Sequence, residues 1–180
     1  LSRSFPTIQS ASTEITNLEA ILNLPKGTEH FLTDLHGEYD AFQHILKNAS
    51  GVIKIKVEEV FGHTIREYEK RELCSLIYYP ESKLKQVKER EGENINDWYT
   101  ITRVQVVKVL EAVSSKYTRS KVRKALPTEY SYIIQELLHE SSSQPDKQKY
   151  ITAILDTIIE TGCADHFIIA ISKVIHRLTI

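Results

Sequence analysis

The sequence predicts a mainly helical fold with one short strand, at about residues 29–34. Three observations carry this. From Ile53 onward apolar residues recur almost everywhere at helical spacing. Gly and Pro fall between these periodic segments rather than inside them. Only His30 to Thr33 reads as a short, buried, extended run, leading into Asp34-Leu35-His36-Gly37.

Taken in order, Thr13 to Leu22 sets Ile15, Leu18, Ile21 and Leu22 on one helical face, and Asn23-Leu24-Pro25-Lys26-Gly27 stops it. After the strand, Gly37 to Lys47 repeats apolar residues at Tyr39, Phe42, Ile45 and Leu46 before Asn48-Ala49-Ser50-Gly51. Helices are then expected over Ile53 to Phe61 and Arg66 to Tyr78, with a charged one from Pro80 to about Arg90. Ile95 to Lys116 is long, with Ile101, Val104, Val107, Leu110 and Val113 in one stripe. Val106 and Val109 widen that stripe, which predicts burial on more than one side. Thr128 to Glu140 follows Pro127, and Ser141 to Asp146 is the most loop-like stretch. Ile151, Ile154, Leu155, Ile158 and Ile159 pattern the next helix, and Gly162 separates it from Asp165 to Leu178. A single strand cannot make a sheet, which suggests that further sequence completes it. The lack of any Met, and an apolar run continuing to Ile180, point the same way, to a piece of a longer protein.

The 180 residues carry a formal net charge of -1, which argues against bulk attraction to nucleic acid or an anionic membrane. Phe167 to Ile171 is the longest uninterrupted apolar run and is far too short to span a bilayer. Cys74 and Cys163 have neither a CxxC spacing nor enough partners for a disulfide framework, so a reducing, cytoplasmic setting is expected.

The chemistry concentrates in Asp34-Leu35-His36-Gly37. In an extended chain residues i and i+2 point the same way, so Asp34 and His36 can aim a carboxylate and an imidazole at one point. That donor pair suits Mn, Fe or Zn rather than Ca. Gly37 permits a sharp turn, and the N-terminus of the following helix favours an anion such as phosphate. The plainer reading makes Asp34 a helix cap and His36 a polar side chain that merely faces solvent. Two ligands are also fewer than a catalytic metal needs.

Asp-x-His-Gly at a strand end resembles the first signature of the metallophosphoesterases. More closely, LNLPKGTEHFLTDLHGEYDAFQHILKNASG resembles the start of the bacterial class III fructose-1,6-bisphosphatases. So do REYEKRELCSLIYYPE, VSSKYTRSKVRKALP and LDTIIETGCADHFIIAISKVIHRL, in the same order along essentially the whole chain. The resemblance implies one strand of an αββα metallophosphoesterase core. Residues 1–51 would begin that core, and 52–180 would form a large helical insertion or cap. It makes Asp34 and His36 ligands of one metal in a two-metal site, with manganese the expected ion. The implied substrate is fructose 1,6-bisphosphate, which loses its 1-phosphate in gluconeogenesis. Two cations in such a site polarise the phosphoryl oxygens and lower the pKa of a bound water.

The family's later ligand motifs, Gly-Asp-x-x-Asp-Arg and Gly-Asn-His, do not occur in this chain. Leu178-Thr179-Ile180 would be the first steps of the strand that leads to them. The remainder of the same polypeptide is therefore an expected partner, the chain alone is expected to be inactive, and a homo-oligomer is left open. The rival reading is a helical interaction or regulatory module without chemistry of its own.

Lys116, Arg119, Lys121, Arg123 and Lys124 form a basic segment. It could grip a sugar phosphate or nucleotide effector, or be a solvated face or a helix C-terminus. Gly62-His63 falls too early in the order to match a late family ligand. Asp165 beside His166 reads as a helix N-cap, Asp40 and His44 as an i, i+4 surface pair, and Glu38 as a neighbour of the site or an ordinary acidic helix start. Tyr78, Tyr79 and Trp98 are assigned to packing.

Overall fold

The computed structural model describes residues 3–24, 29, 31–48, 50–139 and 145–179. Ten α-helices occur among them: α1 (Ile8–Leu22), α2 (Tyr39–Asn48), α3 (Val52–Phe61), α4 (Glu67–Tyr78), α5 (Pro80–Glu91), α6 (Ile95–Ser114), α7 (Arg119–Ala125), α8 (Ser131–His139), α9 (Pro145–Glu160) and α10 (Ala164–Thr179). A single 3₁₀ turn, Gly92–Asn94, joins α5 to α6. None of the helices is long and apolar enough to cross a membrane, the described residues alone being considered.

Local chemistry sets the ends of these helices. Thr7 and Ser10 cap α1 reciprocally, each side chain accepting from the other's backbone N–H at 3.1–3.2 Å. Glu69 reaches back to the Arg66 N–H at 2.7 Å to start α4, and Pro80 occupies the first position of α5, where its missing N–H costs nothing. At the end of α9 the Cys163 N–H bonds Ile158 O and the Gly162 N–H bonds Ile159 O, at 3.0 and 2.9 Å. This is a Schellman closure, which needs the left-handed residue that Gly162 supplies at φ 71°.

The core is built on α6 and α10, which pack against each other. α10 also touches α4, α5, α7 and α9, while α3, α4, α5, α8 and α9 all touch α6. Phe167, Ile168, Ile171, Val174 and Ile175 of α10 are fully buried with Val106, Val109 and Val113 of α6. Each large side chain so buried contributes roughly 1.5–3 kcal/mol. Tyr130 meets Phe167 edge-on with ring centres 5.6 Å apart. Polar side chains tie the layers together. Lys70, buried between α3 and α4, bonds Glu58 at 2.7 Å and Glu67 at 2.5 Å, and both carboxylates hold its ammonium above the usual lysine range. Arg103 of α6 bonds Asp156 of α9 at 2.5 Å. Arg177 of α10 donates to Ala125 O at the end of α7, and Tyr117, in the link before α7, donates to Leu178 O of α10.

Four expectations need correction. No strand forms among the described residues at about 29–34. Phe31–Leu35 is irregular, His30 lies outside the described residues, and no strand occurs among those described. A strand must exchange its N–H and C=O groups with a neighbour, and the described chain provides no second extended segment. Phe31 is accordingly 90% exposed.

The buried face of α6 also runs differently. Ile101 and Val104 point outward, and Tyr99, Thr102 and Arg103 take their place, while Val106, Val107, Val109, Leu110 and Val113 are buried as expected. Apolar residues ring this helix, so packing against α10 rather than periodicity selects the buried face. Leu178 and Thr179 are not the start of a strand. They close the last turn of α10, where the Thr179 hydroxyl donates to Ile175 O at 2.9 Å, and Ile180 lies outside the described residues. Finally, most of the expected loop Ser141 to Asp146 lies outside them as well, and its last two residues, Pro145 and Asp146, open α9.

Candidate functional site

Asp34 and His36 lie just before α2. The Glu38 N–H bonds Leu35 O at 3.0 Å, closing a four-residue turn with His36 and Gly37 at its centre. Both central residues have positive φ, 51° at His36 and 75° at Gly37, the pattern of a type I′ turn. Glycine adopts this geometry freely, whereas an L-residue with a Cβ pays roughly 1–2 kcal/mol. His36 is the one described residue other than glycine with positive φ.

The turn runs directly into the helix. The Tyr39 N–H bonds Gly37 O at 2.9 Å and the Phe42 N–H bonds Glu38 O at 3.0 Å. His36 Nε2 stands 3.9 Å from Asp34 Oδ2, and the two side chains are 81% and 88% exposed. The i, i+2 reading thus brings together the two groups it named, through a turn rather than at a strand end.

The donor pair fits a transition-metal ion. Two ligand atoms held at a right angle about 2.1 Å from an ion are about 3 Å apart, so the exposed side chains need only a small rotation to meet one. Among the described residues no third His, Cys, Asp or Glu joins them to complete a metal-holding group. Glu38 adjoins the turn and starts the helix backbone.

The five basic residues do not converge. All are exposed, four of them on α7, a helix capped by the Thr118 side chain. Lys116 and Lys121 lie over the Tyr117 ring at 5.0 and 4.2 Å. Lys121 and Lys124 line a groove of about 650 Å³ whose other wall is Ala20, Ile21 and Leu22 of α1. Arg119 instead lines a separate recess with Glu111 and His139.

Two further expectations change. Asp165 is not a cap but lies in the first turn of α10, where its carboxylate accepts hydrogen bonds from the Tyr99 hydroxyl and from Lys88. Burial and that carboxylate hold the Tyr99 phenol above its ordinary range. His44 contacts Tyr79 rather than Asp40: the rings stack 11° from parallel with centres 6.0 Å apart. The Tyr79 hydroxyl hydrogen-bonds His44 Nδ1 and accepts from Asn48 Nδ2 at 2.9 Å, and Lys47 Nζ lies 5.2 Å from the same ring. No short-range pattern marks Tyr79, because its partners are more than thirty residues away. The nearest available signal was its position between α4 and the Pro80 that starts α5. Trp98 packs edge-on to Tyr99 and lines a groove of mixed character with Tyr68, Glu72, Leu73 and Arg90. Burial pushes the Cys74 thiol up to about 11, so it is no nucleophile at neutral pH.

Comparison with known proteins gives a consistent result. The family described as Firmicute fructose-1,6-bisphosphatase matches residues 1–180. A protein of Bacteroides fragilis named fructose-1,6-bisphosphatase class 3 is 70% identical over all 180 residues. Proteins of the same name from Phocaeicola vulgatus and Clostridium botulinum are 69% and 58% identical over the same span. In each case the match takes in the whole of this chain but 27% of the relative, so the chain spans about a quarter of the length of these relatives. No solved structure matches.

Proposed function

The chain belongs to the Firmicute fructose-1,6-bisphosphatase family, and from that premise we propose that it forms part of an enzyme that hydrolyses the 1-phosphate of fructose 1,6-bisphosphate. Residues 1–51 begin the catalytic core and 52–180 form a helical insertion beside it. The observation that carries the reading is the turn at His36. The imidazole is held there at a left-handed φ of 51°, a strained conformation of the kind that clusters at functional sites, with its Nε2 3.9 Å from a carboxylate.

Asp34 and His36 would hold one of two manganese ions. When bound, such ions supply Lewis acidity toward the phosphoryl oxygens and activate water near neutral pH. The chain's own contribution is geometric. The type I′ turn fixes where Asp34 and His36 leave the backbone. The amides of Glu38 and Tyr39 are already committed within the turn, which stiffens it. The remaining ligands would come from the rest of the polypeptide, as would the strands that pair with Phe31–Leu35. That remainder would also cover Ile15, Leu18 and Leu22 of α1, each at least half exposed. The setting is the cytoplasm.

The test is manganese-dependent phosphate release by the full-length protein, measured beside Asp34→Ala. Loss of one ligand from a two-metal site is expected to lower the rate by at least about two orders of magnitude. The 180-residue chain alone, with two ligands, releases no phosphate. Release that is indifferent to Asp34 would overturn the ligand assignment.

A further inference from the structure

The turn that carries Asp34 and His36 is continuous with α2, and α2 buries no side chain. Its position therefore depends on surface contacts. His44, Lys47 and Asn48, spaced i, i+3 and i+4, lie on one face of α2, and all three engage the single residue Tyr79.

Tyr79 is itself rigidly mounted. It is the junction of α4 and α5, its N–H donating to Ser75 O and its carbonyl accepting from the Lys83 N–H, both at 2.9 Å. The neighbouring Tyr78 ring lies 5.7 Å from the ring of His176. His176 Nε2 in turn donates to Ile77 O at 2.8 Å. A path of contacts thus runs from the buried helix α10, through the α4–α5 corner, to the helix that begins at the ligand turn.

We propose that Tyr79 is a positioning residue that holds α2, and with it the Asp34–His36 turn, in register with the helical block. The inference rests on the metal-binding reading of that turn. The hydroxyl matters more than the ring, because it alone bonds both His44 and Asn48. From Asn48 back to Glu38 is about 15 Å of helix, so a small rocking at the Tyr79 end displaces the ligands at the other.

Manganese(II) binding to the full-length protein, followed by loss of the free-ion paramagnetic resonance signal, tests this without relying on turnover. Tyr79→Phe keeps the ring and removes the hydroxyl. It is expected to weaken manganese binding roughly tenfold, the scale of an outer support for a ligand, with the thermal midpoint nearly unchanged. Asn48→Ala should give a similar loss, and the double variant no more than either alone. His44→Gln, which keeps a polar partner for the hydroxyl, should retain affinity that His44→Ala loses.

A purely packing role for Tyr79 would lower the melting temperature and leave the affinity alone. If Asp34→Ala loses tight binding of one manganese ion while Tyr79→Phe and Asn48→Ala bind within twofold of the native protein, the positioning role is refuted and the metal reading stands. If Asp34→Ala binds manganese normally, the metal reading itself is refuted, and the role of Tyr79 with it.

Discussion

Replacing Asp165 by Ala tests how the core is held at its α5–α6–α10 junction. The carboxylate accepts from the Tyr99 hydroxyl, on a residue only 7% exposed, and pairs with Lys88, whose side chain is 50% exposed. Removing it leaves a buried hydroxyl without its acceptor, at a cost of about 1–3 kcal/mol. It also removes an acidic group from the first turn of a helix, about 0.3–1 kcal/mol. The half-exposed lysine pair adds about 0–1 kcal/mol. The expected loss is therefore about 2–4 kcal/mol, a fall in melting temperature on the order of 10 °C for a chain of this size, read by circular dichroism at 222 nm. Asp165→Asn keeps an oxygen for Tyr99 and should cost only about 1 kcal/mol. A double-mutant cycle with Tyr99→Phe should show a coupling of at least about 1 kcal/mol. Additivity within about 0.5 kcal/mol would refute the argument and restore Asp165 to the role of a simple cap.

Two further outcomes can be measured on the same preparations. His36→Gly should stabilise the turn, or leave it unchanged, because glycine relieves about 1 kcal/mol of left-handed strain, while weakening the binding of one of the two manganese ions in the full-length protein; His36→Val should lose both. Burial lowers the pKa of His176 below its ordinary 6.5, so the unfolded chain takes up a proton at a higher pH than the folded one. Its contribution to stability is thus complete above about 6.5, falls as pH drops below that value and is gone at its depressed folded pKa. His176→Asn should flatten that part of the pH–stability curve in urea titrations, and an unchanged slope would show that another group titrates there.

Much of this architecture can be read from the residues. Pro80 and Gly162 mark helix boundaries by local chemistry, so α5 begins and α9 ends within a few residues of where the pattern puts them. The type I′ turn is signalled only in part, because Gly37 announces a turn whereas a left-handed His36 does not follow from its residue type.

What escaped depends on distant partners. α7 is short, and its basic residues hide the one side chain it buries, Val122, so it reads as surface. The face of α6 is chosen by α10, about seventy positions away. The roles of Asp165 and Tyr79 likewise depend on hydrogen bonds to residues far along the chain. The strand failed for the converse reason: the local pattern is extended, but a strand exists only when paired.

The place of α10 at the hub of the block has a consequence for biosynthesis. Helices α4, α5 and α6 each pack part of their apolar surface against α10, which the ribosome makes after them. At about 5–20 residues per second, the interval from the start of α6 to the end of α10 is on the order of ten seconds. During that time the part of the α6 surface that α10 covers lacks its final partner. The nascent chain must be shielded by chaperones or by transient pairing among its early helices, and substitutions that slow the arrival of α10 would reduce the yield of soluble protein even where they leave the finished fold unchanged.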